Sequence, residues 1–295
     1  MHKPDWIAVD WGTSTLRAWA MSASGTVLGE ARSGKGMGDL APDQFEAALR
    51  AAISAWDHAG VPIIACGMVG AKQGWIEAPY AAVPCKATPD GFTKPAAGDL
   101  DVHIIAGLKQ ADPADVMRGE ETQIAGFLAL NKNWDGVICL PGTHTKWAHV
   151  SADEVVSFQT YMTGDLFAAI SGNTVLKHSV NSDDWDDTAF DGGVADAMAR
   201  PERLAARLFS LRAEGLLNGM QNSTAKARLS GLLIGAELAG AKPYWLGQRI
   251  AVIGAGGLSA LYVRALAAQS APATQVKGDA ITLAGLTAAY NRFKG

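Results

Sequence analysis

The sequence predicts an α/β protein made of two similar halves that face each other, and three observations lead there. First, the apolar run Ile7-Ala8-Val9 breaks at Asp10-Trp11-Gly12-Thr13-Ser14-Thr15 and resumes as the alternating Leu16-Arg17-Ala18-Trp19. That is the pattern of a buried strand, a tight turn and a returning strand. Second, the pattern recurs. Ile138-Cys139-Leu140 breaks at Pro141-Gly142-Thr143-His144-Thr145 and resumes at Lys146-Trp147, so one offset of 130 residues aligns Gly12 with Gly142, Thr13 with Thr143 and Thr15 with Thr145. Third, each copy continues into a turn and a β-rich run, Gly25-Thr26-Val27-Leu28 and Asp153-Glu154-Val155-Val156. A repeat of this length signals duplicated structural halves. At 295 residues the chain is too long for one ordinary core and fits two domains.

Between these landmarks the elements follow in order. Ser33-Gly34-Lys35-Gly36-Met37-Gly38 is a glycine loop, and Pro42 introduces a helix with Phe45, Leu49, Ile53 and Trp56 on one face, ending at Gly60. Val61 to Cys66 is a buried strand, and Gly67-Met68-Val69-Gly70-Ala71-Lys72-Gln73-Gly74-Trp75 lies at its C-terminal edge, where ligands collect in open α/β sheets. Residues 76–100, with four prolines and several glycines, predict an irregular excursion. Val102 to Ala106 is a strand, and Gly119-Glu120 opens a helix with Ile124, Phe127, Leu128 and Asn131 in register. The second half starts at Gly136. Two long helices are expected in it, after Pro201 and after Ser223, before the strand Ile250 to Ile253 and the turn Gly254-Ala255-Gly256-Gly257-Leu258-Ser259. A last helix spans roughly 279–293.

Composition excludes several classes. Hydrophobic residues make up 48% and charged residues 18%, an ordinary globular balance. With 25 basic and 29 acidic residues the net charge is −4, which gives no electrostatic reason to expect nucleic acid or an anionic membrane. Cys66, Cys85 and Cys139 form no CxxC, as in a reducing compartment. The lead-in Met1-His2-Lys3-Pro4-Asp5-Trp6 runs straight into the first strand with no room for a signal peptide, and no apolar run spans a bilayer, so a cytoplasmic protein is expected.

The first turn carries the chemistry most openly. Gly12 lets backbone approach a ligand, Thr13, Ser14 and Thr15 with the exposed N–H groups can cradle phosphate oxygens, and Asp10 can hold hydrated magnesium. The second turn has Leu140 in place of the acid, so it would supply Gly142, Thr143, His144 and Thr145 to phosphates without a metal. His144 has no second His or Cys at ligand spacing, which argues against a metal role. Glu120 and Glu121 begin a helix, where the macrodipole favours the ionised carboxylate that a general base requires.

Two such hairpins and a late Gly-Gly turn resemble the sugar kinase/Hsp70/actin superfamily. Within it, Asp10-Trp11-Gly12-Thr13 with Leu16-Arg17-Ala18-Trp19, Gly67-Met68-Val69-Gly70 with Gly74-Trp75, Val116-Met117-Arg118-Gly119-Glu120-Glu121-Thr122-Gln123, Pro141-Gly142-Thr143-His144 with Lys146-Trp147, and Met162-Thr163-Gly164 resemble the 2-dehydro-3-deoxygalactonokinase family over nearly the whole chain. The resemblance implies two ribonuclease H-like domains facing a central cleft, the actin-like ATPase fold. Residues 1–132 with the C-terminal helix, about 279–295, would form a substrate and metal domain, and 133–278 a nucleotide domain. It implies ATP and Mg2+ as cofactors and transfer to the terminal 6-hydroxyl of a 2-keto-3-deoxy sugar acid in galactonate catabolism. Related enzymes carry their catalytic acid on the helix before the second hairpin, so Glu121 and Glu120 are the joint candidates for the base, with Asp165 a third that would instead bind sugar or cap a helix. Gly142 to Lys146 would hold phosphates, and Gly254, Gly256, Gly257, Leu258 and Ser259 would pass under the adenosine, since a side chain there blocks the base or ribose.

The acceptor's carboxylate needs a cation. Arg17, Lys35, Lys72 and Arg118 are the candidates. Met37, Met68, Val69, Gly70, Trp75, Tyr80 and Thr163 complete the substrate set, with core packing an equal use for Met68, Trp75 and Tyr80. Three readings stay open on residues alone: the kinase, for the galacto or the gluco epimer; a phosphohydrolase of the exopolyphosphatase type, whose helix start Glu120-Glu121 also resembles; and a non-catalytic nucleotide switch. Net negative charge disfavours the second, and 295 residues leave little room for the extra subdomains of the third. The assembly is equally open, a homodimer included.

Overall fold

The computed structural model describes residues 3–295; Met1 and His2, the start of the short lead-in, lie outside the described residues. The chain divides into two units. One comprises the residues up to Asp135 with Val150–Ser157 and Gly278–Gly295, the other Gly136–His149 with Phe158–Lys277.

The first unit opens with β1 (Trp6–Trp11), β2 (Leu16–Met21) and β3 (Val27–Ser33), then α1 (Phe45–Ala52) and β4 (Pro62–Gly67). It continues through β5 (Tyr80–Ala82), β6 (Cys85–Lys86), β7 (Phe92–Thr93), β8 (Asp101–Ile105), β9 (Gly107–Gln110), β10 (Asp115–Met117) and α2 (Glu120–Leu130). Its main sheet has the order β3-β2-β1-β4-β8-β7, with β1–β2 and β2–β3 antiparallel and β1–β4 and β4–β8 parallel. Strand β1 is buried on both faces. Ile7, Val9 and Trp11 pack with Phe45, Leu49 and Ile63 on one side, and Trp6 and Ala8 pack with Trp19 and Met21 on the other.

The second unit contains β11 (Gly136–Leu140), the start of β12 (Thr145–Ser151) and the end of β13 (Glu154–Tyr161). Helices α3 (Thr163–Asn173), α4 (Asp187–Ala199), α5 (Leu204–Asn218), α6 (Asn222–Gly240) and α7 (Lys242–Trp245) follow, then β14 (Ile250–Gly254), α8 (Gly256–Ala267) and β15 (Ala273–Lys277). Its strand order, β15-β14-β11-β12-β13, repeats that of the first unit, again with the first strand joined in parallel to the next two after its hairpin. The tandem strand-turn-strand pattern thus stands in both units at the same place in the same topology, as an actin-like ATPase fold requires.

The C-terminal helix α9 (Gly278–Lys294) belongs to the first unit and packs on α2. The two helices touch backbone to backbone. A Cβ on Gly126 would collide with the Ile281 carbonyl oxygen, and one on Gly285 with the Thr122 carbonyl oxygen. Farther along, Tyr290 stacks on Trp6 of β1 with ring centroids 4.3 Å apart.

Several local expectations are corrected. Helix α1 stops at Ala52, with Ile53 as its cap, so it does not run on to Gly60. Residues 76–100 hold three short strands within their irregular course, and β9 and β10 form a further hairpin. These strands pair with distant partners, β5 with β9 and β7 with β8, which no local periodicity reveals. Four longer helices, α3 to α6, stand where two were expected. Helix α3 buries only Thr163, and α4 meets α6 through small residues, so neither shows a strong apolar stripe. The Gly254–Ser259 segment is a strand-to-helix junction, with α8 starting at Gly256.

The close α2–α9 contact gives a direct test. Gly285→Ala should cost roughly 1–3 kcal/mol by overpacking, seen as a lower denaturant midpoint. Gly172→Ala on α3, where a Cβ meets nothing within 4 Å, should instead be neutral or stabilise by up to about 1 kcal/mol.

Candidate active site

Strands β1 and β4 run parallel with Asp10 opposite Cys66 and Trp11 opposite Gly67, so both end at one sheet edge. There a cavity of about 190 Å³ is lined by Asp10, Gly12, Gly67, Met68, Arg118, Gly119, Glu120, Gln123 and Thr282. The tip above it is held from behind. Gly12 N–H donates to the Thr15 carbonyl at 2.9 Å, Met37 N–H to the Gly12 carbonyl at 3.0 Å and Gly38 N–H to the Thr13 carbonyl at 2.9 Å. Thr13, Ser14 and Thr15 are left exposed.

Asp10 sits partly exposed at the cavity edge. Its Oδ2 accepts from Arg17 Nη2 at 2.6 Å, and its Oδ1 is 3.9 Å from the Cys66 thiol. Arg17 also pairs with Asp279 of α9. Burial pulls the Arg17 pKa down, but its bonds and charge pairing with the two carboxylates outweigh that and leave it raised. A second opening beside Asp10, about 460 Å³, is lined by Gly12, Thr15, Arg17 and Arg32 among others.

The two glutamates separate. Glu120 lines the cavity, half-buried, and its Oε2 accepts from the Arg118 N–H at 3.1 Å. Glu121 has zero exposure; its Oε2 accepts from the Gly119 N–H at 2.6 Å and its Oε1 from the Thr122 hydroxyl at 3.2 Å. Burial and the neighbouring Glu120 push its pKa up to about 8, against the bonds from the backbone and the charge of Arg118. Adjacent positions at a helix start point in different directions, which the letters alone do not tell.

Arg118 is 8% exposed, and among the described residues no carboxylate forms an ion pair with it. Nη2 donates to the Ala78 carbonyl at 2.7 Å, and the guanidinium lies 4.2 Å over the Tyr80 ring. Nε and Nη1 are buried and meet no hydrogen-bond partner among the described residues. Lys35 and Lys72 are exposed. Val69 and Gly70 are buried under the 68–78 loop, and Trp75 packs between Trp11 and Phe45 as part of the core.

In the second unit a cavity of about 310 Å³ adjoins the hairpin tip. Gly142, Thr163 and Gly164 form one end, Leu258, Leu261 and Tyr262 of α8 one wall, and Ser230, Leu233, Ile234 and Lys226 of α6 another, with Phe167 and Trp185 at the rim. Its walls are largely apolar, which suits a planar base, and its glycine end suits phosphates. Gly164 allows α3 to abut the tip, since a Cβ there would collide with the Gly142 carbonyl oxygen. Asp165 N–H donates to the Thr143 carbonyl at 2.9 Å, and the Asp165 carboxylate lies 3.6 Å from His144 Nε2. So Asp165 belongs to the second unit's tip.

The structure divides the residues expected to hold phosphate. Thr143 and His144 are exposed, while Thr145 has zero exposure and Lys146 5%, because β12 begins at Thr145 and carries both inward. Leu258 lines the cavity, and Ser259 is fully buried. Sequence reasoning missed Phe167, Trp185, Lys226, Ser230 and Tyr262. It also missed Glu237, the one acid in the apolar stretch of α6, whose isolation was visible.

A sequence model of the 2-keto-3-deoxy-galactonokinase family matches residues 10–289. A probable 2-dehydro-3-deoxygalactonokinase of Rhizobium meliloti (strain 1021) is 41% identical over 293 residues, 96% of this chain and 95% of the relative. The 2-dehydro-3-deoxygalactonokinase of Escherichia coli (strain K12) is 33% identical over 284 residues, 95% of this chain and 96% of its own. A crystal structure from Sinorhizobium meliloti bearing the same kind of description superposes with a TM-score of 0.89 at 39% identity, covering 97% of this chain and 96% of that one.

Glu121 makes stability depend on pH in a definite sense. Its carboxyl keeps its proton in the native state up to about 8 but loses it near 4.5 when unfolded. The native state therefore binds more protons across that window, and stability falls as pH rises through it. Denaturation midpoints measured from pH 5 to 8.5 should decline, and Glu121→Gln should flatten the decline and be the more stable protein at pH 8. An equal slope in both would contradict this.

Proposed function

Because the chain belongs to the 2-keto-3-deoxy-galactonokinase family, and is therefore a carbohydrate kinase, we propose that it transfers the γ-phosphoryl group of ATP to the terminal 6-hydroxyl of 2-dehydro-3-deoxygalactonate in galactonate catabolism. The galacto epimer rests on the names of the relatives; residue types do not read the handedness of one hydroxyl. Both curated relatives are kinases, which favours this reading over the phosphohydrolase and over the switch.

One observation supports the sugar-acid reading most: Arg118, which forms no ion pair among the described residues, stands in the wall of a cavity shared by Asp10 and Glu120. A guanidinium at a cavity wall with no ion pair among the described residues favours an anion beside it. A substrate carboxylate is an anion of the right shape. In the proposed arrangement Arg118 holds that carboxylate, and Glu120, at the start of α2, accepts the proton of the attacking hydroxyl. Glu121 keeps the helix start in place from inside.

Asp10 fits a water-mediated magnesium site. It is one partly exposed carboxylate on a cavity, beside exposed hydroxyls, and magnesium keeps its waters while using one or two carboxylates and the substrate's phosphates. When bound, the ion would offset negative charge on the transferring group. In the second unit the N–H groups of Gly142 to His144 would hold phosphates while the α6–α8 cavity takes adenosine. Transfer then needs a phosphoryl group presented by one unit to reach a hydroxyl held by the other, with water kept out. No helix among the described residues is long and apolar enough to cross a membrane. The proposed place of action is the cytoplasm, where the three unpaired thiols stay reduced.

An ADP-release assay across sugar acids tests the reading; absence of acceptor-dependent ADP with every 2-keto-3-deoxy acid would end it. Glu120→Gln should lower kcat by about 10²–10⁴-fold with nucleotide KM little changed. Arg118→Lys keeps the charge but loses the planar fork, and should raise acceptor KM at least about tenfold while sparing nucleotide KM.

A further inference from the structure

Glu237 lies in the last turn of α6, 3% exposed, and its carboxylate is the meeting point of three other elements. Oε1 accepts from Trp147 Nε1 of β12 at 2.7 Å. Oε2 accepts from the Tyr262 hydroxyl of α8 at 2.7 Å and from the Thr163 hydroxyl at the start of α3. Tyr262 in turn lies 2.9 Å from the Thr145 hydroxyl. With Tyr262 giving its only proton to Glu237, Thr145 must be the donor in that last bond, so the chain runs from Thr145 through Tyr262 to the carboxylate.

Thr145, Thr163 and Tyr262 each have a place in the second unit's site. Thr145 is the first residue after the tip that carries Gly142, Thr143 and His144. Thr163 and Tyr262 line the cavity. Gly164, next to Thr163, abuts the Gly142 carbonyl. We propose that Glu237 is a positioning residue for nucleotide: by accepting these three bonds it fixes the phosphate tip, the start of α3 and the α8 wall in one register. It touches no phosphate and acts through Thr145, Thr163 and Tyr262. This rests on reading the cavity as the nucleotide site.

Three donors converging on the carboxylate favour its ionised form, because a protonated one would add an O–H that none of these three donors is placed to accept. Burial pushes the Glu237 pKa up to about 7, with the bonds from Thr163, Tyr262 and Trp147 acting the other way. The titratable groups that sense its charge are Tyr262 on α8, Cys139 on β11 and Tyr161 on β13. Burial holds all three above their ordinary values, Tyr161 at about 12, so between pH 6 and 8 Glu237 alone of this set changes charge. Protonation below about 7 should loosen the register.

The test is steady-state kinetics of wild type, Glu237→Gln, Tyr262→Phe and Leu258→Trp from pH 6 to 8.5, with folding monitored by thermal melting. Glu237→Gln is expected to raise ATP KM about tenfold at pH 8 while acceptor KM stays within about twofold. The wild-type ATP KM should rise several-fold as pH falls to 6, and the variant should lack that component, the nucleotide's own ionisation being common to both. Tyr262→Phe, which keeps the ring in the wall and removes one donor, should show a smaller rise and serves if Glu237→Gln does not fold. Leu258→Trp fills the cavity. If it leaves ATP KM unchanged, the nucleotide reading fails; if it raises ATP KM while Glu237→Gln and Tyr262→Phe do not, the positioning role fails. A lower melting temperature in Glu237→Gln, with ATP KM and its pH dependence as in wild type, also overturns the proposal.

Discussion

Strand β1 is buried on both faces, and that constraint organises its unit. A strand packed on two sides can carry no unpaired polar group along its length, so its chemistry is pushed to the end. Asp10 and the Gly12–Thr15 tip sit there, beside the equally buried β4, whose C-terminal end contributes Gly67 and Met68 to the same cavity. Strand β11, buried throughout, does the same for Gly142, Thr143 and His144. One topology, used twice, yields two polar tips of different composition: the first keeps an acid, the second has Leu140 in its place.

The first unit closes its cavity with elements remote in sequence. Helix α9 supplies Thr282, and Asp279 pairs with Arg17, which in turn holds Asp10. The backbone contact through Gly126 and Gly285 brings α9 this close. The C-terminal helix is therefore part of the site's architecture and not a terminal appendage. The α2 start adds Arg118 and Glu120, and the fully buried Glu121 fixes that start from within.

The second unit solves a different problem. Its cavity is largely apolar, and the tip beside it needs support from the elements around it. The buried carboxylate of Glu237 does this from beneath, gathering Trp147, Thr163 and, through Tyr262, Thr145. Thr145, fully buried, is part of that support. The repeat is faithful in topology and divergent in use, since Thr15, its counterpart, stays exposed.

The duplication, the strand-turn-strand at each tip, the helix opening at Glu120 and the family were legible in the letters, because buried strands and glycine-acid turns leave local patterns of fixed period. Asp10, Gly12 and Gly142 were singled out for the same reason, each standing at the edge of such a pattern, while Arg118 was one of four candidate cations. The tertiary structure alone decided which of Glu120 and Glu121 faces the cavity, since adjacent helical residues differ by a rotation the sequence does not print. It decided that Trp75 joins the core, that Lys146 turns inward and that Asp165 stands beside His144. The cavity walls built by Ser230 and Tyr262 could not be read in advance, because they arise from helices α3, α6 and α8 meeting in space. So could not the role of Glu237, a lone acid in an apolar helix, whose meaning lies in partners up to ninety residues away.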